Sequence, residues 1–307
     1  MRIRTLLALA SPAGHDELSM NTQLAHRTPV IGALLSLIAW STDSLAAESA
    51  PEPVRVPFRL IGSSAPLVTI RIQDRDIPLE LDIGDGSSLV LHPSVISELN
   101  ATPTGETSKG YGMEGKIFEV PIIKVDRVEM GRAVFADVTI HQDGHDDAFR
   151  AKQVAERGTR GYVGAGFFKG YELVLNYRRH VITLIRKDAE PSSQDSCRGH
   201  IVPLMREINW GLVSRVNADE GDMLFVWDTG SPALVMIKAS AAAAHVDTSR
   251  DTVTLNHFRM NGHEFGPLRF QMWDFPAPPG MAGFIGYDFF RDHLVCIDFP
   301  GNRILVR

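Results

Sequence analysis

The chain has 307 residues, of which 44% are hydrophobic and 22% are charged, an ordinary globular composition with enough material for two lobes. Its formal net charge is −6, and no basic stripe occurs along the sequence. These features argue against nucleic acid as a partner, because nucleic-acid binding needs clustered lysine and arginine.

The first predicted element is a short apolar segment at residues 30–40, VIGALLSLIAW. It is too short to span a bilayer, and Ser44 and Ala46 follow it at the small-residue positions of a signal-peptidase site. We therefore predict that residues 1–46 are a signal peptide, and that the mature protein is periplasmic or secreted and not held at the membrane. The start remains open between the first residue and Met20, which begins a better signal-peptide n-region.

Beyond this segment, local patterns predict mostly β-strands and few helices. Apolar or alternating runs of four to seven residues, rich in β-branched side chains and bounded by turn residues, are typical of strands. Such runs are VTIRI (68–72), IPLEL (77–81), FADVTI (135–140), HVITLI (180–185) and NRILV (302–306). Short helices are predicted at 93–99, 148–156 and 238–245, and turns at GFF (166–168) and DFF (288–290).

A polar segment at residues 188–199, DAEPSSQDSCRG, separates two halves of similar organisation. Its Pro, Gly and Ser residues are typical of a linker. We predict an N-terminal lobe at 47–187 and a C-terminal lobe at 200–307.

An internal repeat supports this division. Residues 56–84 align without a gap with 202–230 at an offset of 146, and residues 161–177 align with 283–299 at an offset of 122. A looser match pairs the glycine turns VEMGRAVF and RMNGHEFG at an offset of 131. The smaller offsets mean that the second half has fewer residues between its matched blocks.

Each half contains an Asp at the end of an apolar run, and the repeat aligns Asp82 with Asp228. A pseudo-twofold axis would bring the two carboxyl groups together, where they would titrate as a coupled pair holding one proton. Such a pair suits peptide hydrolysis, because one carboxylate can take a proton from water while the protonated partner polarises the carbonyl. Gly84 and Gly230 permit tight turns whose amides can face the carboxylates, and Ser231 completes the second supporting loop.

The motif DTGS after LFVW, together with YVGAGFF…LVLNY and FIGYDFF…VCIDF, resembles the aspartic proteases. The resemblance covers nearly all of residues 54–307 and is closer to bacterial retropepsin-like proteins, here with two subunits fused in one chain, than to long pepsins. It implies an all-β, bilobal fold with pseudo-twofold symmetry and few short helices, a cleft between the lobes, and Asp82 and Asp228 as the catalytic residues. No cofactor is implied.

The first half also contains a predicted hairpin at 106–120, ETSKGYGMEGKIFEV. Its Tyr111-Gly112 pair resembles the flap of pepsin-like enzymes, which closes over the substrate. The second half, shorter in this region, is predicted to lack a flap. The alternative is a surface hairpin with no role at the site.

The first loop departs from the family pattern at two positions. In the family, the Thr of each loop hydrogen-bonds across to the other loop; Thr229 can do so, whereas Ile83 lacks a hydroxyl and removes one bond worth about 1 kcal/mol. Asp85 is predicted to be a solvated turn residue. If it pointed inward, its charge would raise the pKa of the pair, and activity is then expected to move towards lower pH.

Two further groups of residues leave alternatives. The segment HQDGHDD at 141–147 lacks the fixed spacing of a metal site, so a solvated loop is predicted and no metal is expected. Cys197 and Cys296 can pair in an exported protein or remain thiols, and the sequence favours neither.

Taken together, these patterns predict a monomeric aspartic-type endopeptidase, acting on peptide or protein substrates through a water held between Asp82 and Asp228. The alternative is a catalytically inactive relative that retained the fold as a binding or scaffold protein, since Ile83 weakens the first loop.

Overall fold

The computed structural model describes residues 52–62, 64–111, 117–187, 197–205, 211–219, 221–274, 276 and 280–307. The predicted signal peptide, Gly112 and most of the predicted linker lie outside these ranges. No helix within them is both long enough and apolar enough to cross a membrane.

The described residues form strands and four short α-helices, so the predicted all-β fold with few helices is confirmed. The strands of the first half are β1 Val54–Pro57, β2 Arg59–Ile61, β3 Ala65–Ile72, β4 Arg75–Asp82, β5 Leu89–Leu91, β6 Thr102–Tyr111, β7 Ile117–Met130, β8 Ala133–Gln142, β9 Gly161–Gly164, β10 Tyr171–Asn176 and β11 Val181–Arg186. Those of the second half are β12 His200–Pro203, β13 Leu212–Ala218, β14 Gly221–Trp227, β15 Val235–Ile237, β16 Thr252–Leu255, β17 Phe258–Met260, β18 His263–Glu264, β19 Leu268–Trp273, β20 Met281–Ile285, β21 Val295–Asp298 and β22 Arg303–Val306. The helices are α1 Pro93–Ile96, α2 Asp147–Arg157, α3 Lys238–Ala243 and α4 Tyr287–Asp292.

Three sheets give the molecule two lobes and a centre. The first lobe is an eight-stranded sheet in the order β2-β3-β4-β9-β5-β8-β7-β6, and the second is an eight-stranded sheet in the order β16-β19-β15-β20-β14-β13-β17-β18. The third sheet has six strands in the order β1-β11-β10-β21-β22-β12 and therefore takes half of its strands from each half of the chain. One large apolar core runs through both lobes and includes Leu81, Ile83 and Trp227.

The strand pairing confirms the repeat that the sequence indicates. In the first lobe β5 runs parallel to β8, with Leu89 opposite Ile140. In the second, β15 runs parallel to β19, with Val235 opposite Gln271. The residues of the second pair follow those of the first by 146 and 131 positions, which are the offsets read from the sequence. The two lobes therefore repeat one topology about a pseudo-twofold axis.

A disulfide between Cys197 and Cys296 settles the pairing that the sequence leaves open. Cys296 lies in β21, opposite Val174 of β10, and Cys197 lies just before β12. Both cysteines are buried. The bond therefore fastens the start of the second half to the middle of the central sheet.

The predicted helices are found, and their ends have local causes. Asp146 caps α2 by accepting a hydrogen bond from the Phe149 amide (2.8 Å), and Gly158 ends it in the left-handed conformation. The prediction of a turn at DFF is wrong, because these residues lie in α4. Asp288 in the first turn of α4 and Arg291 in its last form an ion pair (3.6 Å) that favours the helix. GFF lies in a 3₁₀ turn.

The predicted hairpin of the first half is confirmed. Strands β6 and β7 pair from Thr107 opposite Pro121 to Tyr111 opposite Ile117. In the second half, the fully described stretch from α3 to β17 contains β16 alone and no corresponding hairpin. The asymmetry expected from the shorter second half is therefore present in the fold.

Candidate active site

The two aligned aspartates lie where the two lobes meet, each at the end of a buried strand. Asp82 is the last residue of β4 and lies opposite Gly164 of the parallel strand β9. Asp228 directly follows β14, and its amide donates to the carbonyl of Ile285 in the parallel strand β20 (3.0 Å). The apolar strands fix the backbone on which each carboxyl group stands.

The loop from Asp82 to Asp85 and the loop from Asp228 to Ser231 approach each other so closely that only glycine fits at their contact. A Cβ atom added to Gly84 would lie 2.7 Å from Asp228 Cγ, and one added to Gly230 would lie 3.1 Å from Asp82 Cγ. The same added Cβ on Gly230 would lie 3.1 Å from Asp82 Oδ2 and 3.2 Å from Asp228 Oδ1, so the two carboxyl groups border one small space. The structure thus brings together the pair that the repeat predicts.

The hydrogen bonds to the two carboxyl groups are unequal. Asp82 Oδ1 accepts from the Gly84 amide (3.0 Å), whereas Asp228 Oδ1 accepts from the amides of Gly230 (2.7 Å) and Ser231 (3.1 Å). The equivalent amide of the first loop, that of Asp85, donates to the Asp82 backbone carbonyl (3.3 Å). Because each amide donor stabilises the ionised form, these hydrogen bonds favour Asp228 as the ionised member of the pair and Asp82 as the protonated one.

Electrostatics favour the same assignment. Burial raises the pKa of Asp82 well above its ordinary value, and the negative charges of Asp228, Asp85 and Glu80 raise it further. Burial also raises the pKa of Asp228, but hydrogen bonds from Asp82, Gly230 and Ser231 oppose that rise. The pair therefore holds one proton at a pH at which isolated carboxyl groups would both be ionised.

We expect Asp82→Asn to stabilise the fold at neutral pH. The raised pKa means that the folded state binds the Asp82 proton more tightly than the unfolded chain, whose Asp pKa is about 3.9. Wild-type stability is therefore lost as pH rises from about 3.9 through the raised folded-state pKa. Asn carries no such charge, so the free energy of unfolding of the variant should exceed that of wild type by an amount that grows with pH. Urea unfolding at several pH values measures this difference, and a pH-independent difference would contradict the explanation.

Thr229 clasps the first loop from the second. Its hydroxyl donates to the Leu81 carbonyl (2.6 Å) and accepts from the Ile83 amide (3.2 Å), and Thr229 and Ile83 are both fully buried. Ile83 returns no side-chain hydrogen bond and instead packs into the common core. Of the two side chains expected in the family to hydrogen-bond across to the other loop, Thr229 therefore does so, and Ile83 makes apolar contacts instead.

Thr229→Val should lower the free energy of unfolding by about 2 kcal/mol, because it leaves a buried amide and a buried carbonyl without their shared partner. Urea unfolding measures the loss. Thr254→Val is the matched control, since Thr254 is exposed in β16, and its effect should stay within about 0.5 kcal/mol. Equal effects of the two substitutions would mean that the clasp contributes no stability.

Asp85 does not behave as the predicted solvated residue. It is half-buried; its Oδ1 accepts from the Ser87 amide (2.6 Å), which supports the predicted turn, and its Oδ2 accepts from the Tyr162 hydroxyl (3.1 Å). Its charge raises the pKa of both catalytic candidates. The singly protonated pair exists between its two pKa values, so raising both moves that window to higher pH. The rise in the pKa of the pair that the sequence predicts for an inward Asp85 is therefore present. Its expected effect on activity, however, is a shift towards higher pH and not towards lower pH.

An ion pair between the buried Glu80 and the exposed Arg157 lies beside the site and is not predictable from the sequence pattern. Glu80 lies two residues before Asp82 in β4, on the same face of the strand, and both of its carboxylate oxygens accept from Arg157 Nη1 (3.0 and 2.8 Å). Burial raises the pKa of Glu80, and Arg157 opposes that rise. The sequence signal was a charged residue within the apolar run LELD. Arg157, 77 residues away, gave no such signal.

The segment 141–147 is not the solvated loop that the sequence predicts. Asp143 is only 5% exposed, and its carboxylate contacts His145 Nδ1 (2.7 Å) and His92 Nε2 (3.5 Å). A carboxylate at this depth needs such partners to offset its loss of water. Within the part of the chain that the structure describes, no three metal-ligating side chains are grouped for a metal ion.

The hairpin is anchored beside the first loop. Ser108 Oγ and His141 Nδ1 lie 2.7 Å apart and join β6 to β8. Tyr111 ends β6 and so lies at the described end of the hairpin, and Gly112 is outside the described residues.

Most of the residues predicted for the site are thus found together. The loops bring Asp82, Gly84 and Asp228 into contact, with Thr229 and Gly230 supporting them. The partners of Asp85 and Glu80 could not be read from local sequence. Compared with models of known protein families and with curated proteins, the chain matches none.

Proposed function

We propose that the protein is an aspartic-type peptidase that hydrolyses peptide bonds with a water held between Asp82 and Asp228. The observation that carries this proposal is the pair of carboxyl groups at the meeting of the lobes, which border one small space and receive unequal numbers of amide donors. Paired carboxyl groups in one buried site are the arrangement that general acid–base hydrolysis requires.

In the proposed reaction the two carboxyl groups have different roles. Asp228, with two amide donors, is the carboxylate that takes a proton from water as the water oxygen attacks the carbonyl carbon. Asp82 gives its proton to the carbonyl oxygen, and a tetrahedral diol forms. The carbon–nitrogen bond then breaks as the proton on Asp228 passes to the leaving nitrogen and a diol proton returns to Asp82. Both products leave with the pair singly protonated, as it began.

The surroundings support the same proposal. The hairpin β6–β7 borders the first loop and would cover an extended peptide, as the flap predicted from the sequence would. The disulfide supports export, because such bonds persist in oxidising compartments. We propose an exported monomer whose partners are peptide or protein substrates.

The test is digestion of a peptide library by the purified protein at acidic and neutral pH, read by mass spectrometry. We expect defined cleavage sites that a statine-type transition-state mimic suppresses, because such a mimic presents a tetrahedral hydroxyl to the pair. Absence of cleavage at every pH, with the protein folded, would favour the binding or scaffold alternative.

A further inference from the structure

A cavity of about 260 Å³ lies between the hairpin and the first catalytic loop. Asp85 and Ser87 line it from the loop, Ser108 and Gly110 from the hairpin, and Tyr162 from β9. The cavity is smaller than typical sites for whole ligands, which are about 300–1,000 Å³, and suits a single side chain. Because Asp85 follows Asp82 by three residues, a side chain in this cavity would belong to a residue close to the scissile bond.

The carboxylate of Asp85 faces this cavity with neutral donors alone. Its two oxygens accept from the Ser87 amide and the Tyr162 hydroxyl, which use two of about four acceptor positions. Among the ion pairs of the described residues, none includes Asp85. The cavity therefore offers unused acceptor positions on Asp85 together with an uncompensated negative charge.

The other charged groups at the cavity do not cancel that charge. Asp143 is already paired with His92 and His145. Burial lowers the pKa of His141, which favours its neutral form. Lys109 also lines the cavity, but its side chain is exposed, so solvent screens its charge more strongly than that of the half-buried Asp85. Asp85 therefore dominates the charge in the part of the cavity nearest Asp82.

We infer that Asp85 selects substrates with a lysine or arginine side chain near the scissile bond, which enters this cavity and pairs with the carboxylate. A cationic side chain supplies the donors that the cavity lacks, and an apolar side chain of equal length would leave the carboxylate unpaired. The inference rests on the proposed peptidase function and adds a substrate class to it.

The test compares two peptides that differ at one position next to the cleaved bond, lysine in one and norleucine in the other. We expect wild type to cleave the lysine peptide with a kcat/KM about tenfold higher or more, and Asp85→Asn to bring the ratio close to one. The ratio isolates selectivity, because a change in the pKa of the catalytic pair alters both rates alike. Asp85→Ser is the second variant, since Ser231 occupies the equivalent position of the other loop.

Asp126→Asn is the matched control. It removes the same charge from an exposed site on β7, and the lysine preference should persist. Equal cleavage of both peptides by wild type, or a preference unchanged in both folded Asp85 variants, would overturn the inference and leave the peptidase proposal standing. Failure of wild type to cleave any peptide would instead defeat the proposed function, and the inference with it.

Discussion

Replacing Asp228 by Asn should lower kcat/KM for peptide cleavage by about a thousandfold or more. Asn keeps the shape of the side chain but cannot take a proton from water. The Gly230 and Ser231 amides would still meet an oxygen acceptor at the same place, so the loop should keep its form. Initial rates on a fluorogenic peptide, with circular dichroism to verify folding, measure the loss.

The matched control for this change is Asp222→Asn. Asp222 lies six residues earlier, in β14, and is exposed, so the same chemical change there should leave kcat/KM within about twofold. Wild-type rates from a folded Asp228→Asn variant would rule out the assigned base and, with it, the mechanism.

Reducing the Cys197–Cys296 disulfide should lower the free energy of unfolding by about 4 kcal/mol. The bond closes a loop of 99 residues, and removing it restores the conformational freedom of that loop in the unfolded chain. A loss of this size is a large part of the stability of an ordinary domain, which is about 5–15 kcal/mol. Urea unfolding of oxidised and reduced wild type measures it directly, because both forms keep the same side chains.

The double variant Cys197→Ala/Cys296→Ala provides the control for this experiment. It should unfold at a urea midpoint near that of the reduced protein and should be insensitive to reductant. Coincident unfolding curves for oxidised and reduced wild type would show that the central sheet holds the chain without the bond.

The register of the repeat is what made the fold and the catalytic candidates predictable. It aligned Asp82 with Asp228 through apolar runs that fold as β4 and β14, and the structure brings the two side chains together. The hairpin was predictable for a similar reason, since its glycines and strand-like ends are contiguous in sequence. These features depend on local pattern or on comparison of one half with the other.

Contacts between residues far apart in sequence could not be predicted in this way. Asp85 resembles a turn residue because its turn contact is local, whereas its contact with Tyr162 joins residues 77 positions apart. Asp143 is buried through His92, which precedes it by about 50 residues. Neither partner carries a pattern that a single sequence would associate with the site. For the same reason, the prediction of two lobes gave no indication of a central sheet shared between them.

The pairing of β10 with β21 has the register of a symmetric dimer. Val174 faces Cys296, its own repeat equivalent, while Leu173 faces Ile297 and Leu175 faces Val295 in reciprocal fashion. Two identical half-length chains would adopt this register about a symmetry axis. In one continuous chain this contact does not depend on protein concentration, and a substitution in one loop is not repeated in the other. The two loops can therefore differ, with Ile83 and Asp85 in one and Thr229 and Ser231 in the other, and the two aspartates have chemically distinct surroundings.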